Sequence, residues 1–176
     1  MKDFLHTERL YLRKITEADS RRLFEIWSDP EVTRFMNITN FTKEEQAKEM
    51  ILLLNKLAAE NRAIRFTIIE KKSNLIIGSC GFNVLDRENA RAEIGYDLAR
   101  NFWGKAYASE AVSILEDYAF KELGLVRIEA KVEPENFNSI KVLEKSGFYF
   151  EGTLRKSEKV KGRFVDLNMY SKLSTD

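Results

Sequence analysis

The spacing of apolar residues changes repeatedly along this chain, and each change marks an element. Between Glu93 and Leu98, Ile94, Tyr96 and Leu98 alternate with Glu93, Gly95 and Asp97, the period of a half-buried strand. From Lys105 onward the period lengthens. Ala108, Ala111, Val112, Leu115 and Ala119 recur three or four residues apart, which predicts a helix starting near Lys105 with one apolar stripe. Gly124 follows it, where a left-handed cap is common. Upstream, Arg9–Arg13 alternates as a first strand, and Thr16-Glu17-Ala18-Asp19 resembles a capping box opening a helix that ends by Ser28, before Pro30. Glu31–Met36 reads as a short second helix. A second box, Thr42-Lys43-Glu44-Glu45, opens a helix to about Glu60 that carries Ala47, Met50, Ile51, Leu54, Leu57 and Ala58 on one side.

Phe66–Glu70 and Leu75–Asn83, separated by Lys71-Lys72-Ser73-Asn74, form with the Glu93 strand a three-stranded antiparallel meander. Val126–Glu133 is a further strand, and Asn136–Ser139 opens a short helix over Ile140–Ser146. Phe148–Gly152 and Asp166–Leu173 close the chain as strands joined through Lys156–Arg163, with Gly162 at the turn. A strand, a long helix and a strand in succession imply parallel pairing of the Glu93 and Val126 strands. The fold class is therefore α/β (α+β), with a mixed, mostly antiparallel sheet of about seven strands and helices on both faces.

Composition narrows the chemistry. With 176 residues, no internal repeat and no linker, the chain reads as one domain over 1–176. Basic residues number 29 and acidic 28, so net charge offers no case for nucleic acid or a membrane surface as partner. One cysteine, Cys80, excludes an internal disulfide and a cysteine zinc site, and one histidine, His6, argues against a histidine-rich metal site. No metal is therefore expected, and His6 reads as a solvated residue of the N-terminal tail. With no apolar leader visible, the default location is cytoplasmic.

The join Trp103-Gly104-Lys105-Ala106-Tyr107-Ala108 stands before the free amides of a helix start, and Gly104, Ala106 and Ala108 are small. A diphosphate could come close to that backbone and to the positive end of the helix dipole. A plain strand-to-helix turn explains the small residues equally well. Neither a P-loop nor a G-x-G-x-x-G pattern occurs.

Four stretches together, TERLYLRKITEAD, AEIGYDLARNFWGKAYASEA, VEPENFNSIKVLEKSGFYFEG and GRFVDLNMYSKL, resemble the GNAT acetyltransferase superfamily from Thr7 to Leu173. Within it the chain is similar to the branch of bacterial ribosomal-protein N-terminal (alanine or serine) acetyltransferases. The resemblance implies acetyl-CoA as cofactor and transfer of its acetyl group to a primary amine. It matches Trp103, Gly104, Lys105, Ala106, Tyr107, Ala108 and Ser109 to the pyrophosphate loop, with Trp103 for the usual polar residue and Ala106 for the usual glycine. A methyl at Ala106 fits if its φ is negative or the strain is small.

Ile94, Gly95 and Tyr96 match the strand along which the pantetheine arm lies, with a backbone N–H near Tyr96 as oxyanion donor. Asn136 and Ser139 match residues that contact the pantetheine and thioester, Ser139 also being the proton donor to the thiol. Helix capping is their alternative role. Glu158 matches the base of the ribosomal-protein branch, and Glu93 the base of other members. Tyr107 is expected to pack beside the loop and Cys80 to be buried and inert.

The acceptor implied is the N-terminal α-amine of a protein. A small amine such as a polyamine, an amino sugar, an antibiotic or a toxin is the alternative, as is a non-catalytic acyl-CoA-binding module. A homodimer remains open.

Overall fold

The computed structural model describes residues 1–176. Its centre is a sheet of eight strands in the order β1-β2-β3-β4-β5-β6-β8-β7. The strands are β1 Phe4–His6, β2 Leu10–Lys14, β3 Ile64–Glu70, β4 Leu75–Asp86, β5 Arg91–Leu98, β6 Arg127–Val132, β7 Tyr149–Val160 and β8 Arg163–Leu173. The helices are α1 Ser20–Trp27, α2 Pro30–Thr33, α3 Glu44–Ala59, α4 Tyr107–Asp117 and α5 Phe137–Lys145. All strand pairs are antiparallel except β5 with β6.

The strand beyond the expected seven is β1. It lies in the segment read as a tail, where His6 stacks on Tyr11 with ring centres 4.9 Å apart. The final hairpin also differs from expectation. Lys156–Arg163 is not a loop, because β7 runs on to Val160 and β8 begins at Arg163. Lys161 and Gly162 make the turn with φ of 50° and 82°, a left-handed pair that matches the twist of a two-residue hairpin.

Each face of the sheet carries its own core. On one face Ile64, Phe66, Ile68, Cys80, Phe82 and Ile94 meet Ala111, Val112, Leu115 and Ala119 of the α4 region. That is the stripe read from the sequence, and burial of Val112 and Leu115 there contributes ~1.5–3 kcal/mol each. The helix begins at Tyr107 rather than Lys105 and loosens into a π-type turn over Tyr118–Glu122. Gly124 then takes φ 67°, the left-handed exit expected of it. Tyr118 stays buried there, stacked on Phe82 at 6.4 Å.

On the opposite face Leu23, Ile26 and Trp27 of α1 pack on Ala47 and Ile51 of α3. The box opening α3 closes one residue later than predicted. Gln46 Oε1 accepts from the backbone N–H of Thr42 at 2.7 Å and of Lys43 at 3.0 Å, and Glu45 takes no part. The box before α1 forms as read, with Thr16 N–H donating to Asp19 Oδ2 at 3.0 Å. No helix is long and apolar enough to cross a membrane.

Candidate active site

The sheet splits between its two parallel strands. β5 pairs with β6 at Arg91↔Arg127, Ala92↔Ile128 and Glu93↔Glu129, and nowhere beyond. Each strand is committed elsewhere. β5 follows β4 as far as Leu98 opposite Gly78, and β6 follows β8 as far as Val132 opposite Asn168. Strand twist then carries the two apart.

The phase of the β4–β5 ladder decides which groups face the gap. Ala99 N–H bonds Ile77 C=O at 2.7 Å. Hydrogen-bonded and non-hydrogen-bonded pairs alternate along an antiparallel ladder, so the Cys80↔Tyr96 pair is non-hydrogen-bonded. The N–H and C=O of Tyr96 therefore point away from β4, into the gap. The Leu98 carbonyl, in the same phase, is taken by Trp103 Nε1 at 2.8 Å.

The gap continues through the sheet as a cavity of about 860 Å³. Of the residues matched by resemblance, Glu93, Ile94, Gly95, Tyr96, Trp103, Gly104, Ala106, Tyr107, Ala108, Ser109, Asn136, Ser139 and Glu158 line it. Lys105 does not. Its ammonium lies 5.5 Å from the centre of the Phe102 ring, and its carbonyl accepts from Arg9 Nη1 at 2.9 Å. Gly95 sits under the side chain of Asn83, not under an aromatic ring; a Cβ there would come within 2.5 Å of Asn83 Nδ2. Asn83 reaches this place because it is the extra residue of a bulge, Phe82 facing Ile94 and Val84 facing Glu93.

At the start of α4 the backbone takes two left-handed steps, φ 73° at Gly104 and 63° at Ala106. The strained alternative for Ala106 is thus the one realised. A Cβ on Gly104 would meet nothing within 4 Å, so the concave side of the turn is open to a ligand, with the unpartnered first amides of α4 beside it. The turn is braced from behind. Arg9 stacks over the Tyr107 ring at 4.3 Å and pairs with Glu110 at 2.7 Å, and Glu110 also accepts from Thr7 Oγ1 and, at 2.9 Å, from Arg9 N–H. Burial pulls the Glu110 carboxyl upward, but these donors outweigh it and hold it below its ordinary value. Tyr107 is buried and donates to Glu70 Oε2 at 2.7 Å, which raises its phenol first, burial adding to the effect. The groups that fit a diphosphate here are backbone amides.

On the other side of the gap, Asn136 Oδ1 accepts from Ser139 N–H at 3.4 Å, so Asn136 does cap α5. Ser139 Oγ accepts from Tyr96 OH at 3.1 Å. Burial raises the Tyr96 phenol, against a smaller lowering by Ser139. The sequence reading used Tyr96 for its backbone alone; nothing in the linear pattern joins its ring to a serine on another element.

The two glutamates stand in different surroundings. Glu93 pairs with Lys131 at 3.2 Å across the split, whereas Glu158, exposed on β7, has no ion-pair or hydrogen-bond partner. The floor between them is a bonded cluster: Arg65 donates to Ser79 at 3.0 Å, to Asn83 at 3.2 Å and to buried Asp97 at 2.8 Å. Cys80 is fully buried, and burial pushes its thiol up to about 12, so it is inert as read. Lys161 at the tip of the β7–β8 hairpin reaches over to α2, donating to Thr33 C=O at 2.5 Å and to Arg34 C=O at 3.3 Å.

Residues 9–149 match the acetyltransferase (GNAT) domain family. The chain is also 56% identical to the uncharacterized N-acetyltransferase p20 of Bacillus licheniformis, over 98% of this chain and 97% of the relative. The chain belongs to the GNAT acetyltransferase family. It is an acetyl-CoA-dependent N-acetyltransferase. Among solved structures, the ribosomal-protein-S5-alanine acetyltransferase of Vibrio fischeri superimposes with a TM-score of 0.85 at 27% identity, covering 99% of this chain and 98% of that one. The spermidine N(1)-acetyltransferase of Vibrio cholerae is 25% identical over 90% of each chain.

Proposed function

We propose that this acetyltransferase modifies the N-terminal α-amine of a protein, as one cytoplasmic domain over residues 1–176, with Glu158 as the base. The observation that carries the reading is the contrast between the glutamates. Glu93 is neutralised by Lys131 at 3.2 Å, while Glu158 stands on the cavity wall without a counter-charge. A lone carboxylate suits an α-amine, whose pKa of ~7.7–8.0 leaves part of it neutral already, better than a lysine amine at ~10.4. The name of the Vibrio fischeri neighbour, a ribosomal-protein-S5-alanine acetyltransferase, supports the same acceptor.

Acetyl-CoA supplies an activated acyl group as a thioester, and CoA departs as the thiol once the acetyl group has passed to the amine. The amides at Gly104–Ser109 would hold its diphosphate, and the free edge of β5 at Ile94–Tyr96 would take its pantetheine arm. Tyr96 N–H, turned into the gap, would hold the charge that develops on the carbonyl oxygen. Tyr96, kept protonated by burial, donates to Ser139 Oγ. That leaves the Ser139 proton free to reach the departing sulfur, while Asn136 fixes the turn on which Ser139 sits.

The test is mass spectrometry of products from peptides carrying both a free N-terminus and an internal lysine, run beside spermidine. Acetyl groups on α-amines, with turnover lowered by Glu158→Gln more than by Glu93→Gln, support the proposal. Turnover confined to spermidine overturns the acceptor; a silent Glu158→Gln overturns the base.

A further inference from the structure

One aromatic ring on the acceptor side of the cavity has no place in either core. Phe35 follows α2, is half-buried and lines the cavity, yet it belongs to none of the apolar clusters. Its neighbours Val32 and Met36 do pack against the α1–α3 core, which fixes the backbone on both sides of it. The Arg34 guanidinium covers one face of the ring at 4.9 Å from its centre. A large apolar side chain held at the wall of a cavity, and not needed to fill the core, loses contact with water only when a ligand meets it.

The opposite wall is apolar as well. Val160 and Leu167 of the β7–β8 hairpin line the same cavity and are buried. The bonds from Lys161 to the carbonyls of Thr33 and Arg34 hold this hairpin to the end of α2, so the two apolar walls belong to one lobe. Glu158 lies two residues before Val160 on β7, hence on the same face of that strand. The remaining carboxylates of the wall are largely spoken for: Glu93 by Lys131, Asp97 by Arg65 and Glu133 by Arg163. Glu31, also lining the cavity, is exposed and forms no ion pair. An amine at Glu158 therefore has an apolar lobe beside it.

From this lobe we infer that the enzyme selects acceptors whose amine adjoins a large apolar group, so that a peptide substrate begins with a residue such as Leu or Phe, seated against Phe35. The inference rests on the reading that the acceptor amine meets Glu158 in this cavity. It makes Phe35 a specificity-determining residue.

The experiment compares kcat/KM for four peptides that differ only in the first residue, Leu, Phe, Ala or Ser, and for phenylalaninamide against alaninamide. Filling an apolar lobe discriminates by about tenfold or more, so the Leu and Phe peptides should exceed the Ala and Ser peptides by that factor. Phe35→Ala should bring the ratio to within about threefold, and Phe35→Leu should restore part of it. Melting temperatures of both variants should match the parent, because the ring is outside the core. Equal rates for all four peptides, a preference for Ala or Ser, or a ratio untouched by Phe35→Ala overturns the inference. If no peptide reacts while phenylalaninamide still outpaces alaninamide in a Phe35-dependent way, the lobe stands and the protein N-terminus as acceptor falls. If neither peptides nor amides react, both fall.

Discussion

Ala106 is the residue whose replacement best tests the geometry of the turn before α4. Its φ of 63° and ψ of 15° place a Cβ-bearing residue in the left-handed region. For an L-residue other than glycine that region costs roughly 1–2 kcal/mol. Ala106→Gly removes this strain but gives the unfolded chain more freedom, worth about 0.4–1 kcal/mol in the other direction. The methyl group is exposed, so little packing is lost with it. The balance is a gain of about 0.5–1 kcal/mol, or a rise of roughly 1–4 °C in melting temperature for a chain of this length. Thermal and urea unfolding of the two proteins without cofactor would measure it. Ala106→Val, with a branched carbon at the same φ, should lose about 2 kcal/mol or more. If Ala106→Gly instead lowers stability by 0.5–1 kcal/mol, the usual cost of glycine at an unstrained site, the left-handed assignment and the reasoning built on it are refuted.

Ser139→Ala should lower kcat with little change in KM for acetyl-CoA, because the Asn136 cap bonds the backbone N–H and survives the change; steady-state kinetics would show a rise in KM alone if the hydroxyl only binds. Gly81→Ala should be about 3 kcal/mol or more less stable, since its Cβ would lie 2.0 Å from the Ile64 carbonyl oxygen and neither backbone can give way; a denaturation midpoint near the parent's would contradict the β3–β4 register. Glu151 bonds Arg127 in a bidentate pair and Ser171, and its carboxyl is lowered to about 2. A carboxyl with a depressed folded-state pKa contributes stability that is complete above the unfolded value of ~4.3 and fades as pH falls toward 2. Solvent screening makes the amount small at this partly exposed site. Unfolding of the parent and of Glu151→Gln, followed from pH 6 to pH 2, should therefore converge at the acid end; parallel curves would remove the pair from the account.

The sequence disclosed the parts of the site that depend on period and neglected those that depend on meeting. The stripe Ala111, Val112, Leu115 placed α4, and strand–helix–strand order placed the parallel pair. The turn at Gly104–Ala106 was legible from residue size, but the sign of φ at Ala106 was not, because alanine gives no hint of it. The second half of β7 was missed for a physical reason. Arg155, Lys156, Ser157, Glu158 and Lys159 are all exposed on an edge strand, so no apolar alternation marks them. The contacts that distinguish Glu93 from Glu158, that join Tyr96 to Ser139 and that tie Lys161 to Thr33 link residues far apart in the chain. Alternation alone does put Arg65 and Asp97 on the α1–α3 face, and that signal could have found the floor of the cavity.

The short seam between β5 and β6 also sets how the molecule comes apart. β1 to β5 form a ladder of sequence-adjacent antiparallel pairs broken once by α1 to α3, and β6, β8 and β7, in that order, form a second antiparallel block. Between them lie three backbone register pairs, the Glu93–Lys131 ion pair, the bonds from Lys161 to Thr33 and Arg34, and the packing of α4 and α5. Two blocks with strong internal contacts and a thin border behave as separate cooperative units, each able to open at a free energy below that of global unfolding. Amide hydrogen exchange should sort along this border, with the β6–β8 block released before the β1–β5 block. A ligand laid along the free edge of β5 adds contacts across the border, so its binding fuses the two units and raises the protection of amides far from any atom it touches.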